Sequence, residues 1–220
     1  MKLNIPEDLS EIKLYQYQKF LLIEEPTNVD ILSCFLDLTI EQIDVIALKD
    51  VNDIAKMIMD CFENRQDTFK QTFKLNGVHF GFIPNLDDIS YGENKDITSY
   101  INDWKSMHKA MSVLFRPIDQ KQGSKYRIEQ YKGSHIHSEL MKQMPLDIVF
   151  GAMVFFYNLT NELLKAIPNY LQVELTREQM QGQISVEISS KPFLTLLPPV
   201  IRVFWNLPNN HILEASSTYM

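Results

Sequence analysis

The chain has 220 residues, 45% of them hydrophobic, and a formal net charge of −7. That length suits one domain, and the apolar content supplies a core and argues against wholesale disorder. The acidic balance argues against a nucleic-acid partner held by phosphate contacts, which requires a basic face; the densest basic stretch, Lys121 to Lys132, also carries Glu129.

No apolar run reaches the roughly 18–20 residues that a membrane span requires, so no membrane partner is expected. The N-terminal "MKLNIPEDLS" turns acidic without an apolar signal core, which argues against a cleaved secretion signal. Cys34 and Cys61 lie in apolar, helix-like stretches. They read as small core residues of a cytosolic protein in a reducing compartment, not as a disulfide frame.

The opening third reads as short helices. "LSEIKLYQYQKFLLI" spaces Leu9, Ile12, Tyr15, Phe20 and Ile23 by three and four, one apolar stripe, and Pro26 stops it. Thr27 with Asp30, and Thr39 with Gln42, are capping-box patterns that start the next two helices. A helix over about Lys49 to Asn64 carries Val51, Ile54, Ala55, Ile58 and Phe62 on one side. Short amphipathic helices with short polar joints are expected to pack as a small bundle.

The period then changes to two. Phe69, Gln71, Phe73 and Leu75 alternate with their neighbours, as do Val78, Phe80 and Phe82, with Asn76-Gly77 between the two runs. Asn-Gly is the strongest short hairpin signal, because a type I′ turn needs positive φ at both central residues. His79 is expected on the polar face of this hairpin. Ser90 and Glu93 form a further capping pair, and "DITSYINDWKSMHKAMSVLF" reads as one amphipathic helix closed by Pro117. "KYRIEQY" reads as a short strand, and a long apolar helix is expected to begin at Pro145, since proline is favourable at the first helical position.

After Pro168 the character shifts: Pro192, Pro198, Pro199 and Pro208 fall within one apolar stretch. Proline that dense excludes a long helix or a central strand. The expected fold is therefore mainly α with a small β-hairpin or sheet insert (α+β). A helical domain over 1–168 carries the hairpin at about 69–83, and a Pro-rich extended tail over 169–220 docks on the chain itself or on a neighbour. Phe193, Leu197, Val203, Phe204 and Trp205 of the tail, with Phe80 and Phe82 of the hairpin, are the candidate protein-contact residues.

Each chemical motif meets a simpler alternative. The acidic cluster Asp87, Asp88, Glu93 and Asp96 has the charge for a divalent cation but lacks the alternating ligands of a calcium loop; acidic residues also favour a helix start. His135, His137 and Glu139 share a short stretch without a further ligand at a recognised spacing, which reads as a solvated loop rather than a metal site. His108 on an apolar helix face reads as a hydrogen-bonded core residue. Met107, Met111, Met141, Met144 and Met153 suit either an adaptable binding groove or core filling, and core filling is the simpler reading. No phosphate-binding loop, nucleophile elbow or dinucleotide fingerprint occurs. No catalytic residue, cofactor or metal is therefore assigned, and the chain is not expected to be an enzyme.

The series "LYQYQKFLLI", "FKLNGVHFGFIPNLDDISYGE", "WKSMHKAMSVLFRPI", "YRIEQY" and "MPLDIVFGAMVFFYNL", over about Leu14 to Leu164, resembles proteins encoded in the structural-gene regions of tailed bacteriophages, especially those infecting Bacteroidetes. It is distantly similar to phage tail assembly chaperones. The resemblance implies a non-catalytic morphogenesis or virion protein that contacts other phage structural proteins or copies of itself. It would reside in the cytoplasm of the infected host or in the virion. The alternatives are a phage-encoded regulatory or host-directed binding protein, and a metal-dependent enzyme using His135, His137 and the acidic turn.

Overall fold

A computed structural model describes residues 3–65, 68–86, 88–123, 125–156 and 158. Mixed α+β architecture follows from two kinds of local signal. Helices α1 (Leu14–Phe20), α2 (Asn28–Phe35), α3 (Ile40–Ile43) and α4 (Leu48–Glu63) come first, then strands β1 (Thr72–Leu75) and β2 (Val78–Phe82). Helices α5 (Tyr91–Tyr100) and α6 (Met107–Leu114) lead into β3 (Phe115–Gln122) and β4 (Lys125–Ile128), followed by α7 (Ser138–Met141). Residues 146–156, here α8, are helical. The strands form one antiparallel sheet in the order β1-β2-β3-β4.

The capping pairs close as their spacing requires. The Thr27 N–H donates to the Asp30 carboxylate at 2.9 Å, and the Thr39 N–H to Gln42 Oε1 at 2.9 Å. The Ser90 N–H donates to Glu93 Oε2 at 2.6 Å, while the Glu93 N–H donates to Ser90 Oγ at 3.2 Å. Each pair satisfies backbone donors that a helix start leaves unbonded. Asn76 (φ 47°) and Gly77 (φ 84°) turn the β1–β2 hairpin, with Phe73 opposite Phe80 and Leu75 opposite Val78. His79 is exposed.

Four expectations about elements need correction. The first helix spans only Leu14–Phe20, because the backbone just before and at its start serves another segment. The Leu14 N–H donates to the Met144 carbonyl at 2.9 Å, and the Leu146 N–H to the Ile12 carbonyl at 2.8 Å. The single helix expected through Asp96–Phe115 is broken at Asp103, whose extended backbone and carboxylate cap a new start by accepting from the Lys105 N–H at 3.0 Å. A 3₁₀ turn at Trp104–Ser106 then leads into α6.

The helix has ended before Pro117, as expected, but Pro117 lies within a strand, β3, where a polar loop was expected. The two-residue turn makes Leu75–Val78 and Phe73–Phe80 hydrogen-bonded pairs, so Phe80 directs its polar groups toward β1. The Phe80–Pro117 pair therefore needs no N–H from proline, and the Pro117 carbonyl accepts instead from Glu129 N–H at 2.8 Å. Finally, α1, α2 and α4 pack together through Tyr17, Phe20, Phe35 and Phe62, but the helices do not make a clear bundle. α8 instead lies against the hairpin, where the Phe69 and Phe155 rings stack at 4.3 Å. The tail expected over 169–220 lies outside the described residues.

Candidate functional site

The hairpin's two candidate contact residues are core residues. Phe80 is 1% exposed and Phe82 is 4% exposed. The Phe80 ring stacks on Phe73 at 5.5 Å, and Phe82 meets Phe69 at 5.0 Å and Phe115 at 5.2 Å. Alternation correctly groups them on one face, but Phe155 and Phe156 of α8 and the His137 ring cover that face. Their side chains are committed to this chain and leave no surface for a partner. Phe193, Leu197, Val203, Phe204 and Trp205 lie outside the described residues.

The acidic segment is divided among separate partners rather than gathered on one point. Asp88 accepts from Asn85 Nδ2 at 2.5 Å, and Asp96 accepts from the Tyr131 hydroxyl at 2.6 Å. Burial acts to raise the Asp96 pKa, but hydrogen bonds from Ser134 and Tyr131 outweigh it and leave the carboxyl below its ordinary range. Asp87 lies outside the described residues.

Glu93 does two things at once. One carboxylate oxygen closes the cap with Ser90, while Oε1 lies 2.5 Å from Arg116 Nη2, both side chains being 8% exposed. The Arg116 guanidinium also lies over the Tyr131 ring, 5.7 Å from its centroid. Gly92 leaves room for that ring, since a Cβ there would stand 3.1 Å from Tyr131 Cε1. This buried ion pair ties the start of α5 to the start of β3. A buried charge persists only when paired and hydrogen-bonded, so the arrangement is a structural clamp that binds sheet to helix. The sequence signal for it was the lone arginine in "LFRPI", a cation flanked by apolar residues, which has to find an anion inside the fold.

His108, His135 and His137 are engaged within the chain, and both thiols are core residues. His137 Nε2 lies 3.1 Å from Glu129 Oε2, and the His135 ring packs over Gly133. Among the described residues no group of three or more His, Cys, Asp or Glu is placed to hold a metal ion. His108 is buried, with Gln18 Nε2 3.1 Å from its Nδ1; burial first, then Lys142, hold its pKa below the ordinary imidazole value. Met107, Met111, Met141, Met144 and Met153 are all buried, so they fill the core and line no groove. Cys34 and Cys61 are free and buried, and burial raises both thiol pKa values, which suppresses their reactivity.

Among the described residues, the surfaces open to contact include two with a clear chemistry. One is the outer edge of β1. Residues 71, 73 and 75 direct their backbone groups to β2, as the 2.8 Å bond from the Phe82 N–H to the Gln71 carbonyl shows. Thr72 and Lys74 therefore direct theirs away from the sheet. Among the described residues no strand pairs with that edge.

The other surface is the corner between α3 and α4, where Ile40, Val45 and Leu48 are 62%, 80% and 77% exposed. A groove of about 420 Å³ runs beside it, lined by Leu3, Val45, Ile46 and Ile54 with Asp50 and Asp53. The clue in the sequence was the adjacent pair Val45-Ile46 after a four-residue helix, where both side chains cannot face the same core. No helix among the described residues is long and apolar enough to cross a membrane. No family model, curated protein or solved structure matches the chain.

Proposed function

We propose that the chain is a non-catalytic morphogenesis or virion protein of a tailed bacteriophage, similar to tail assembly chaperones, that works through protein–protein contacts. The ordered blocks between Leu14 and Leu164 support the phage reading. The observation that carries the contact mechanism is the outer edge of β1, which no described strand pairs and where Thr72 and Lys74 present backbone donors and acceptors outward. Such an edge takes a strand from another chain, main-chain bonds giving affinity and alternate side chains giving specificity.

A lysine on an edge strand discourages indiscriminate pairing. The partner strand is therefore one with an Asp or Glu opposite Lys74, supplied by another phage structural protein or by a second copy of this chain. The test is Lys74→Pro. This substitution removes an outward N–H while the bonds made by Phe73 and Leu75 to β2 remain, and edge strands tolerate proline. The variant is expected to keep its circular dichroism spectrum and to fail to support particle assembly in infected cells. Normal particle titre with a folded Lys74→Pro variant would overturn the edge mechanism.

A further inference from the structure

The α3–α4 groove is apolar at its base and acidic at its rim. Within residues 40–54 the charged side chains are Glu41, Asp44, Asp50 and Asp53 against Lys49 alone, and all five are exposed. Val45 and Leu48 stand out beside the groove with most of their apolar surface in water.

The chain itself carries the complementary chemistry. Between Glu187 and Glu214 its only Lys or Arg residues are Lys191 and Arg202, and no Asp or Glu occurs. Those two cations bracket Phe193, Leu194, Leu196, Leu197, Val200 and Ile201, with Val203, Phe204 and Trp205 following. This apolar, cationic segment complements the apolar, acidic groove in chemistry. Reach does not forbid the match. The 32 residues between 158 and 191 span up to about 110 Å, against a diameter of about 40 Å for a compact body of roughly 155 residues.

We infer that residues 191–206 seat in cis on the α3–α4 groove of the same chain in the free protein. Their apolar side chains cover Val45, Leu48 and Ile54, and Lys191 and Arg202 meet Asp50 and Asp53. This docking is intramolecular and does not depend on the assembly reading; a protein of any function could have it. It assigns the C-terminal aromatic residues to the chain's own surface and leaves the β1 edge for a partner.

Site-specific photo-crosslinking of the purified full-length chain tests it. A benzophenone amino acid replaces Val45, and in a second preparation Leu48; both positions are exposed, so neither change disturbs the core. The crosslinked peptides are then mapped by mass spectrometry from the monomer band. The expected crosslinks fall within residues 191–206. With Asp50→Lys and Asp53→Lys added, their yield is expected to drop roughly tenfold, because like charges are then juxtaposed. Crosslinks from both probes that map only outside 191–206, or no crosslinks, overturn the inference. Crosslinks confined to a dimer band overturn docking in cis and place the segment on a second copy. A yield unchanged by the double charge reversal overturns the charge match.

Discussion

Replacing Glu93 by Gln isolates the charge of the buried pair. Glutamine at this position still accepts from the Ser90 N–H, because the capping box admits Gln as well as Glu. What changes is that Arg116, 8% exposed, loses the carboxylate 2.5 Å from its Nη2. An exposed ion pair contributes about 0–1 kcal/mol, whereas removing one partner of a buried pair costs about 3–5 kcal/mol because the other charge stays behind. The burial of both side chains selects the larger figure.

For a chain of this size the loss corresponds to a fall in Tm of about 6–20 °C. The assay is thermal and urea unfolding of the full chain followed by circular dichroism, with Ser90→Ala as a control that removes the cap and costs about 1 kcal/mol. The double variant Glu93→Gln/Arg116→Met should recover much of the loss, since it removes the unpaired buried cation that Glu93→Gln leaves behind. A Glu93→Gln loss below about 1 kcal/mol would refute the reasoning, because the pair would then behave as a surface contact.

Three further outcomes follow from single sites. Gly151→Ala is expected to destabilise by about 1–3 kcal/mol in urea unfolding, because its Cβ would stand 2.5 Å from the Thr68 carbonyl oxygen, a backbone atom that cannot swing away. Gly77→Ala meets no neighbour, so its expected cost of about 1–2 kcal/mol is the left-handed backbone alone; Gly77→Asn should recover part of it. Tyr131→Phe should reduce the acid sensitivity of folding. The folded pKa of Asp96 lies below its ordinary value, so its stabilisation is present above the unfolded pKa of about 3.9 and is lost as pH falls through the folded value. Unfolding curves at pH values from about 6 down to 2 should show a smaller decline in the variant than in the parent chain.

What was legible in the sequence was local. Asn76-Gly77 and the pairs Thr27–Asp30, Thr39–Gln42 and Ser90–Glu93 work over three residues or fewer, and each forms as its chemistry requires. The break at Asp103 was hidden because Ile97, Ile101, Trp104, Met107 and Met111 keep steps of three and four across it while a single carboxylate restarts the helix. Strand β3 was hidden behind Pro117, whose missing N–H matters only if the ladder needs it, and that depends on the register of β2. The burial of Phe80 and Phe82, named as contact candidates, was hidden for a related reason: alternation assigns side chains to a face, and only the tertiary fold says what covers it. The Glu93–Arg116 clamp joins positions distant in the chain, so only the unusual arginine in an apolar run hinted at it.

The proposed function requires contact between the chain and phage structural proteins. Quantitative mass spectrometry of purified particles and of the matching infected-cell lysate, the latter fractionated by size, tests it most directly. The expected result is the chain at fixed copy number in the particle, or in the lysate bound to a structural protein. A chain absent from particles and free of any structural protein in the lysate would contradict it.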